Sequence, residues 1–523
     1  MADDRPNILF LFSDEHSFRC LGHRDDRSSE PVETPTLDDL ATNGTDFRNA
    51  YCQMPLCTPS RLCTLTGREA RGAGAWSNMS VLPPRAETIP ERLGEAGYDT
   101  CLVGKMHLGG NRQFVGFGDR PYGDLTAGTT HQWEPLDKAG GRSTRDRTLD
   151  AGVTEIPESQ LQEYNTTREA IAWIREQEAA GEDPWFLTAS FSRPHFPLTA
   201  PRRYLRRYWD FEADEPTEQL TKPKVGRTGD TADHPFTAHV VEGFHSDAID
   251  ATERQRARAA YFASVEFLDD ILGEFLATLE RDGALEDTVV VYASDHGELA
   301  GEHGLWWKHT WHEGAVRVPF LVQTPAHRNG DTEAATIETP VGLVDLFPTL
   351  CGLAGADPPA DIDGIDLSAA VETGTEPDRG PVASDNLNAR WGEGSEFRAV
   401  RDGPYKYVRF RDMPELLFDL NADPLEQQNL ATDPSALDND AQRALDRLRE
   451  FVDETMEFDA AESERESDRA LAERYEIEAE TPSPSGNCYV MCDGTIVDAD
   501  TPLYDPTVVV DDPESTFDDY PKK

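Results

Sequence analysis

Two polar clusters stand directly behind apolar runs in this sequence, and their residue types are those of a cation site. Asn7 to Phe12 (NILFLF) runs into Ser13, Asp14, Glu15 and His16, and VVVYA ending at Ala293 runs into Ser294, Asp295, His296, Gly297 and Glu298. Carboxylates leaving two strands together with one imidazole make an oxygen-rich site for a divalent ion. Either cluster alone reads more simply as a helix cap; the pair favours the metal. A third cluster, Cys57 to Arg68 (CTPSRLCTLTGR), contains a nucleophile candidate. Pro59 suits the first turn of a helix, which puts Cys57 at or just before its N-terminus. Free amides and the helix dipole stabilise an anion there, and Arg61 adds positive charge one turn on. The residues leave two readings open: a nucleophilic thiol of lowered pKa, or a buried structural cysteine.

These clusters need elements that bring them together. Unbroken apolar runs predict buried strands at Asn7 to Phe12, Thr100 to Val103, Trp185 to Phe191, Thr288 to Tyr292 and Val318 to Gln323. Helical periodicity lies between them, at Thr36 to Ala41, Ile89 to Ala96, Tyr164 to Gln177 and Thr252 to Leu279. Such alternation predicts an α/β fold: a large, mostly parallel mixed sheet sandwiched by helices over residues 1–385. Ligands of such sheets bind beyond the carboxyl ends of the strands, where the clusters fall. From 386 to 460 the pattern becomes short strands (Phe397 to Arg401, Lys406 to Phe410, Leu416 to Leu420) and a closing helix near Ala441 to Glu457, a small antiparallel sheet with one helix. The acidic extension 461–523, with TPSPSG at 481–486, reads as extended or loosely packed.

Composition narrows the setting. Of 523 residues, 99 are acidic and 49 basic, a formal net charge of -50. That charge disfavours nucleic acid and anionic membrane partners. No run approaches the roughly 18 to 20 apolar residues of a membrane span, and the first apolar run is too short for a secretory leader. Only eight of the basic residues are lysines. The charge predicts a high-salt host, where the Debye length falls to roughly 3 Å at 1 M. Eight cysteines at irregular spacing, including a C-x3-C pair at Cys488 and Cys492, form neither a disulfide framework nor a CxxC zinc site, so a reducing cytoplasm is expected.

The third cluster resembles the sulfatase signature C-x-P-S-R-x-x-x-L-T-G-R at every fixed position. Other segments agree in order. Gly104 to Gly109 (GKMHLG) is similar to the family's G-K-W-H-L-G, Arg193 to Pro197 to its P-H-x-P segment, and Ser294 to Glu298 to its S-D-H-G-E. Lys308 precedes Glu313-Gly314 and Arg317-Val318-Pro319, and Leu417 to Leu420 resembles the family's C-terminal hairpin. The resemblance covers roughly residues 5 to 435. Gly74 to Asn78 and the Met106 variant resemble choline-sulfatase-like members.

The resemblance implies a fold of the alkaline phosphatase superfamily and hydrolysis of a sulfate ester. It implies that a maturation enzyme oxidises Cys57 to formylglycine, whose hydrated aldehyde is the nucleophile. By the same carry-over, Asp14, Glu15, Asp295 and His296 hold one divalent metal with an oxygen of modified Cys57. Arg61 and Lys105 hold the hydrate, His195 with Lys308 protonates the departing alcohol, and His107 takes the proton whose loss expels sulfate. Most members have Asp at the position of Glu15 and often Asn at that of His296. Calcium is the expected metal, with manganese the alternative because of the imidazole. A phosphonate monoester or phosphodiester hydrolase with the same nucleophile is the second reading, and a metal-binding protein with an unmodified Cys57 the third. His303, His309 and His312 are candidates for a place near the pocket; Trp306, Trp307 and Trp311 read as packing. Leaving-group specificity is expected in loops 110–160 and 200–250, which carry no motif.

Overall fold

The computed structural model describes residues 5–478, except positions 25–26, 79, 84–85, 109–112, 124–147, 149–150, 182, 245 and 247–248, together with the short strands Cys488–Val490 and Ile496–Asp498. Its centre is an eight-stranded sheet. In chain order the strands are β1 (Asn7–Asp14), β2 (Thr45–Phe47), β3 (Asp99–Gly104), β4 (Asp119–Gly123), β5 (Trp185–Pro194), β6 (Thr288–Ser294), β7 (Phe320–Gln323) and β8 (Ala335–Ile337). Their spatial order is β8-β2-β7-β6-β1-β5-β3-β4. The block β6-β1-β5-β3-β4 is parallel throughout, and β7 runs antiparallel to both of its neighbours.

Central strands covered on both faces explain the unbroken apolar runs. Leu9 and Leu11 of β1 face one core, which includes Ala170, Trp173 and Ile174 of α4 (Gln162–Ala180) and Phe262, Val265 and Leu268 of α5 (Ala251–Asp282). Ile8, Phe10 and Phe12 face the other. There they meet Leu62 and Leu65 of α2 (Cys57–Thr66) and Ile89 and Leu93 of α3 (Ile89–Glu95). A shorter helix, α1 (Pro35–Thr42), lies at the first core. Capping boxes start α3 at Thr88 and Glu91 and α5 at Asp250 and Glu253. Those polar residues satisfy backbone N–H groups that the first turn leaves open.

A second sheet is antiparallel: β9 (Val382–Asn386), β10 (Phe397–Asp402), β11 (Tyr405–Phe410) and β12 (Leu416–Asp419), packed by α6 (Asn439–Thr455). Val400, Tyr407, Leu417, Leu445 and Leu448 belong to the same core as Ile8 of β1 and Leu62 of α2, so this sheet is docked on that face of the main sheet.

Two expectations are corrected. The run 318–323 is not one strand. Val318 pairs with Ala50 in a separate three-stranded sheet, while Phe320–Gln323 joins the main one. Pro319 lies between them and has no N–H to donate to a ladder. The extension from 461, expected to be extended or loosely packed, is instead helical at its described start, part of α7 (Phe458–Glu478). That helix is rich in Glu, Ala and Arg and contains neither Gly nor Pro, so local propensity favours it. It docks through Arg71–Glu464, at 2.6 Å, and Trp76 Nε1–Asp468 Oδ2, at 2.8 Å. The TPSPSG segment lies outside the described residues.

Candidate active site

Strand register assembles the site. Ser13 of β1 pairs with Ser294 of β6, so Asp14 and Asp295 leave the sheet side by side. Asp14 pairs with Pro194 of β5, and the next amide, His195 N, donates to Asp14 O at 3.2 Å. Gly104 of β3 pairs with Ser190, after which Lys105 N donates to Ser190 O at 2.9 Å. Gly104 has φ +96°, and a Cβ there would lie 1.9 Å from Ser190 O, so only glycine permits this approach. Four adjacent parallel strands thus deliver Asp295, Asp14, His195 and Lys105 to one carboxyl edge.

Cys57 arrives from α2. Leu56 is an extended N-cap without a side-chain cap, Cys57 is the first helical residue, and all ten residues of the helix are buried. The open amide of Thr58 is capped from a distance by Asn78 Oδ1 at 3.2 Å. Arg61 ties the helix to the strand ends: Nε donates to Asp295 Oδ2 at 2.8 Å, Nη2 to Asp14 Oδ2 at 3.2 Å, and Nη1 to Ser190 Oγ at 3.0 Å.

The ligand atoms converge. Cys57 Sγ lies 3.2 Å from His296 Nε2 and 3.7 Å from Asp14 Oδ1. His296 Nε2 is 3.7 Å from Asp14 Oδ1 and 3.6 Å from Asp295 Oδ1. All four side chains are buried, and their ligand atoms lie within 4.8 Å of one another. Glu15 stands to one side, in a second group with Asp14 and His195. Its Oε2 accepts from Lys308 Nζ at 2.7 Å, and the Glu298 carboxyl lies beside it. Burial, opposed by Lys308 and reinforced by Glu298, raises the Glu15 carboxyl to about 8. Burial acts to lower the His296 pKa, yet Asp295, helped by Cys57, outweighs it and Lys308 and pushes it up to about 9. A buried set of carboxylates, sulfur and imidazole with converging ligand atoms fits a divalent cation by the chemistry of its donors.

Lys105, His195 and Lys308 lie against this group. Lys105 Nζ is 2.6 Å from Asp14 Oδ2. Burial acts to raise the Asp14 pKa, yet Lys105, His195 and Arg61 hold it well below the usual carboxylate range. His195 Nε2 is 3.4 Å from Glu15 Oε2, and its Nδ1 pairs with Phe196 O at 2.8 Å. Lys308 is held protonated by Glu15 despite its burial. His107 has a left-handed backbone, φ +56°, and its carbonyl accepts from Thr58 Oγ1. Its motif neighbour Gly109 lies outside the described residues. His303 and His312 are buried with ring centroids 4.3 Å apart. Trp311 stacks on His312 and Phe418, and Trp307 on Phe196, so these indoles are packing. Sequence reasoning gave no role to Asn78 or Ser190. Asn78 ends the quoted Gly74 to Asn78 stretch, which was its only signal; Ser190 lies inside an apolar run and had none.

A buried group of residues that could hold a cation, beside a cysteine at a helix N-terminus and in contact with Lys105, Lys308 and His195 at the edge of an α/β sheet, suits a hydrolase of anionic esters. The Sulfatase family model matches residues 6–356, and that of the N-sulphoglucosamine sulphohydrolase C-terminal region matches residues 301–452. The chain is 32% identical over 489 residues to the choline-sulfatase of Rhizobium meliloti, covering 90% of this chain and 91% of the relative. It is 29% identical over 458 residues to an arylsulfatase of Clostridium perfringens, covering 82% and 90%. The phosphonate monoester hydrolase of Agrobacterium radiobacter shares the fold, with a TM-score of 0.69 at 23% identity over 94% of this chain and 99% of that one. The chain belongs to the sulfatase family and is a sulfuric ester hydrolase. Membership implies a formylglycine made from the signature cysteine and a divalent metal. Among the described residues no helix is long and apolar enough to cross a membrane.

Proposed function

We propose that Cys57, converted to formylglycine by a maturation enzyme, is the nucleophile, and that Asp14, Glu15, Asp295 and His296 hold the metal. The observation that carries this is the buried convergence of Cys57 Sγ with Asp14 Oδ1 and His296 Nε2. Bound there, the metal supplies Lewis acidity to the nucleophile and to the sulfate oxygens. The chain's own residues do the rest. Arg61 and Lys105 orient the residue-57 side chain through Asp14 and Asp295, and the dry surroundings strengthen their pull on developing negative charge. His195, with Lys308 beside it, donates a proton to the departing alcohol oxygen. His107 accepts the proton released as the free enzyme is restored.

Calcium is the metal we favour, since most of the set is oxygen; His296 Nε2 favours manganese as the second reading. Metal analysis of protein from its own host decides between them. The principal test is a mass spectrum of the peptide containing residue 57, paired with a sulfate-ester assay on the same sample. Formylglycine or its hydrate in active protein is expected; an intact thiol in active protein overturns the mechanism. Phosphodiesters or phosphonate monoesters turning over far faster than sulfate esters would instead favour that related activity.

We further read the setting as the cytoplasm of a high-salt host, from the charge of -50 and from six buried free cysteines among the described residues. The division we propose is a catalytic domain, a C-terminal subdomain and an acidic extension from 461. The first boundary is best drawn before Val382, because β9 pairs with β10.

A further inference from the structure

The segment between β9 and β10 lies on the loop that carries Lys308. Trp391 Nε1 donates to His309 O at 3.0 Å, and the two rings meet edge to face at 5.9 Å. His309 N in turn donates to Pro55 O at 3.0 Å, two residues before Cys57. The strand leading into this segment runs beside the chain approaching the nucleophile: Ser384 Oγ donates to Cys52 O, and Asp385 N to Gln53 O at 2.7 Å. The stretch 384–391 therefore flanks both the Cys57 helix start and the Lys308 loop.

Trp391 is fixed. It is 4% exposed, its carbonyl bonds His239 Nδ1, and a Cβ on Gly243 would lie 2.6 Å from its ring. Arg390, immediately before it, is held with its guanidinium 5.2 Å from the Trp391 ring centroid. That aromatic face is its partner; no carboxylate pairs with Arg390 among the described residues. Several arginines before and after it in the sequence are paired with acids. Arg398 grips Asp385 and Glu69, Arg411 reaches Glu396, Glu462 and Asp459, and Arg379 reaches Asp345. Arg390 is exposed to solvent at the surface beside Trp391. Among the described residues, Arg390, next to the tryptophan that bonds the Lys308 loop, has no acidic partner.

Guanidinium is a planar fork of donors that matches a carboxylate or sulfate two bonds at a time, and stacking on an aromatic ring holds the fork in orientation. Lys105, Lys308 and Arg61 already serve the scissile sulfate. An additional cation on the rim is suited to a second oxyanion, carried by the leaving alcohol. It repels a quaternary ammonium.

We propose that Arg390 is a specificity-determining residue that recognises a carboxylate or second sulfate on the leaving group, so that the preferred substrates are polyanionic sulfate esters rather than esters of cationic alcohols. This rests on hydrolysis at Cys57. The test compares 4-carboxyphenyl sulfate, its uncharged methyl ester, 4-sulfophenyl sulfate and choline sulfate at one fixed salt concentration. Wild type is expected to favour the two anionic esters over the methyl ester by roughly tenfold or more in kcat/KM, mostly through KM, and to disfavour choline sulfate. Arg390→Ala should collapse the anionic-to-neutral ratio toward one, and Arg390→Lys should keep part of it, since lysine retains the charge but not the fork. A wild-type ratio near one, or a ratio unchanged in Arg390→Ala, overturns the proposal. A carboxylate effect without a sulfonate effect, or the reverse, identifies which oxyanion the site takes. Calorimetric binding of the same esters to Cys57→Ala and Cys57→Ala/Arg390→Ala reads that ratio without turnover. If no sulfate ester is hydrolysed, the Cys57 reading fails while binding still decides Arg390.

Discussion

Lys105 Nζ stands 2.6 Å from Asp14 Oδ2, and neither side chain has any exposed surface. The same oxygen receives Arg61 Nη2 at 3.2 Å, so one carboxylate balances two buried cations while its other oxygen faces Cys57. Asp14 is therefore a structural keystone as well as a ligand candidate. Asp14→Asn is expected to abolish turnover and to lower stability by about 3–5 kcal/mol, the usual cost of stranding buried charge. Urea unfolding of the metal-free variant measures the second effect apart from the first.

Removing the metal should silence the enzyme without unfolding it. Arg61 and Lys105 already compensate Asp14, and Lys308 compensates Glu15. Chelation is expected to stop hydrolysis, and calcium or manganese to restore it, with the circular dichroism spectrum unchanged. A chelated sample of full activity would refute the ligand set.

Lys308 and His195 should matter in proportion to how badly the alcohol needs a proton. For an alkyl sulfate, Lys308→Ala is expected to lower kcat by roughly 10²- to 10⁴-fold, the range of general acid catalysis. For 4-nitrophenyl sulfate, whose leaving group departs as a stable anion, the loss should be far smaller. Equal losses on both esters would assign Lys308 to binding instead.

The C-terminal sheet is coupled to the catalytic loop through a buried charge cluster, and acid should loosen it. Lys406 Nζ of β11 contacts Glu313 at 3.0 Å and Glu426 at 2.7 Å, and Tyr51 OH donates to Glu313 Oε2 at 3.0 Å. Although burial opposes it, Lys406 holds the Glu313 carboxyl well below the usual carboxylate range, while burial raises its neighbour Glu426. The folded chain therefore takes up the Glu313 proton at lower pH than the unfolded chain does. That residue's contribution is whole above the ordinary carboxylate pKa and is lost as pH falls below it. Unfolding midpoints from pH 6 to pH 2 should show a shallower acid limb in Glu313→Gln than in wild type.

Withdrawal of salt is expected to unfold the protein. A net charge of -50 repels itself over a lengthening Debye distance as ions are removed. Circular dichroism across a salt titration tests this; a flat signal into the millimolar range contradicts the high-salt setting.

Much of the site could be read before folding because its chemistry is written in contiguous pieces. Ser13 to His16 and Ser294 to Glu298 each follow an apolar run, and Cys57 to Arg68 forms a single turn-and-helix unit. Strand period and helix period are local properties, so β1, β3, β5, β6, α4 and α5 were expected close to where they stand. The three-residue strands β2 and β8 were not anticipated, since so short a ladder leaves little periodicity. Pro319 divided a run that hydrophobicity alone presented as continuous.

By itself, then, the sequence determined the chemical class: which side chains could form a cation site, which cysteine could be a nucleophile, and which family they resemble. Only the tertiary structure decided how these groups meet. The Ser13–Ser294 register sets Asp14 beside Asp295, although 280 residues separate them, and Asn78 caps the Cys57 helix from a loop with no periodic signal. It also left Arg390 against the Trp391 ring beside the Lys308 loop, with no acid paired to it among the described residues. Residue type and spacing report local conformation, whereas long-range pairing comes from packing many elements at once, which no single segment encodes.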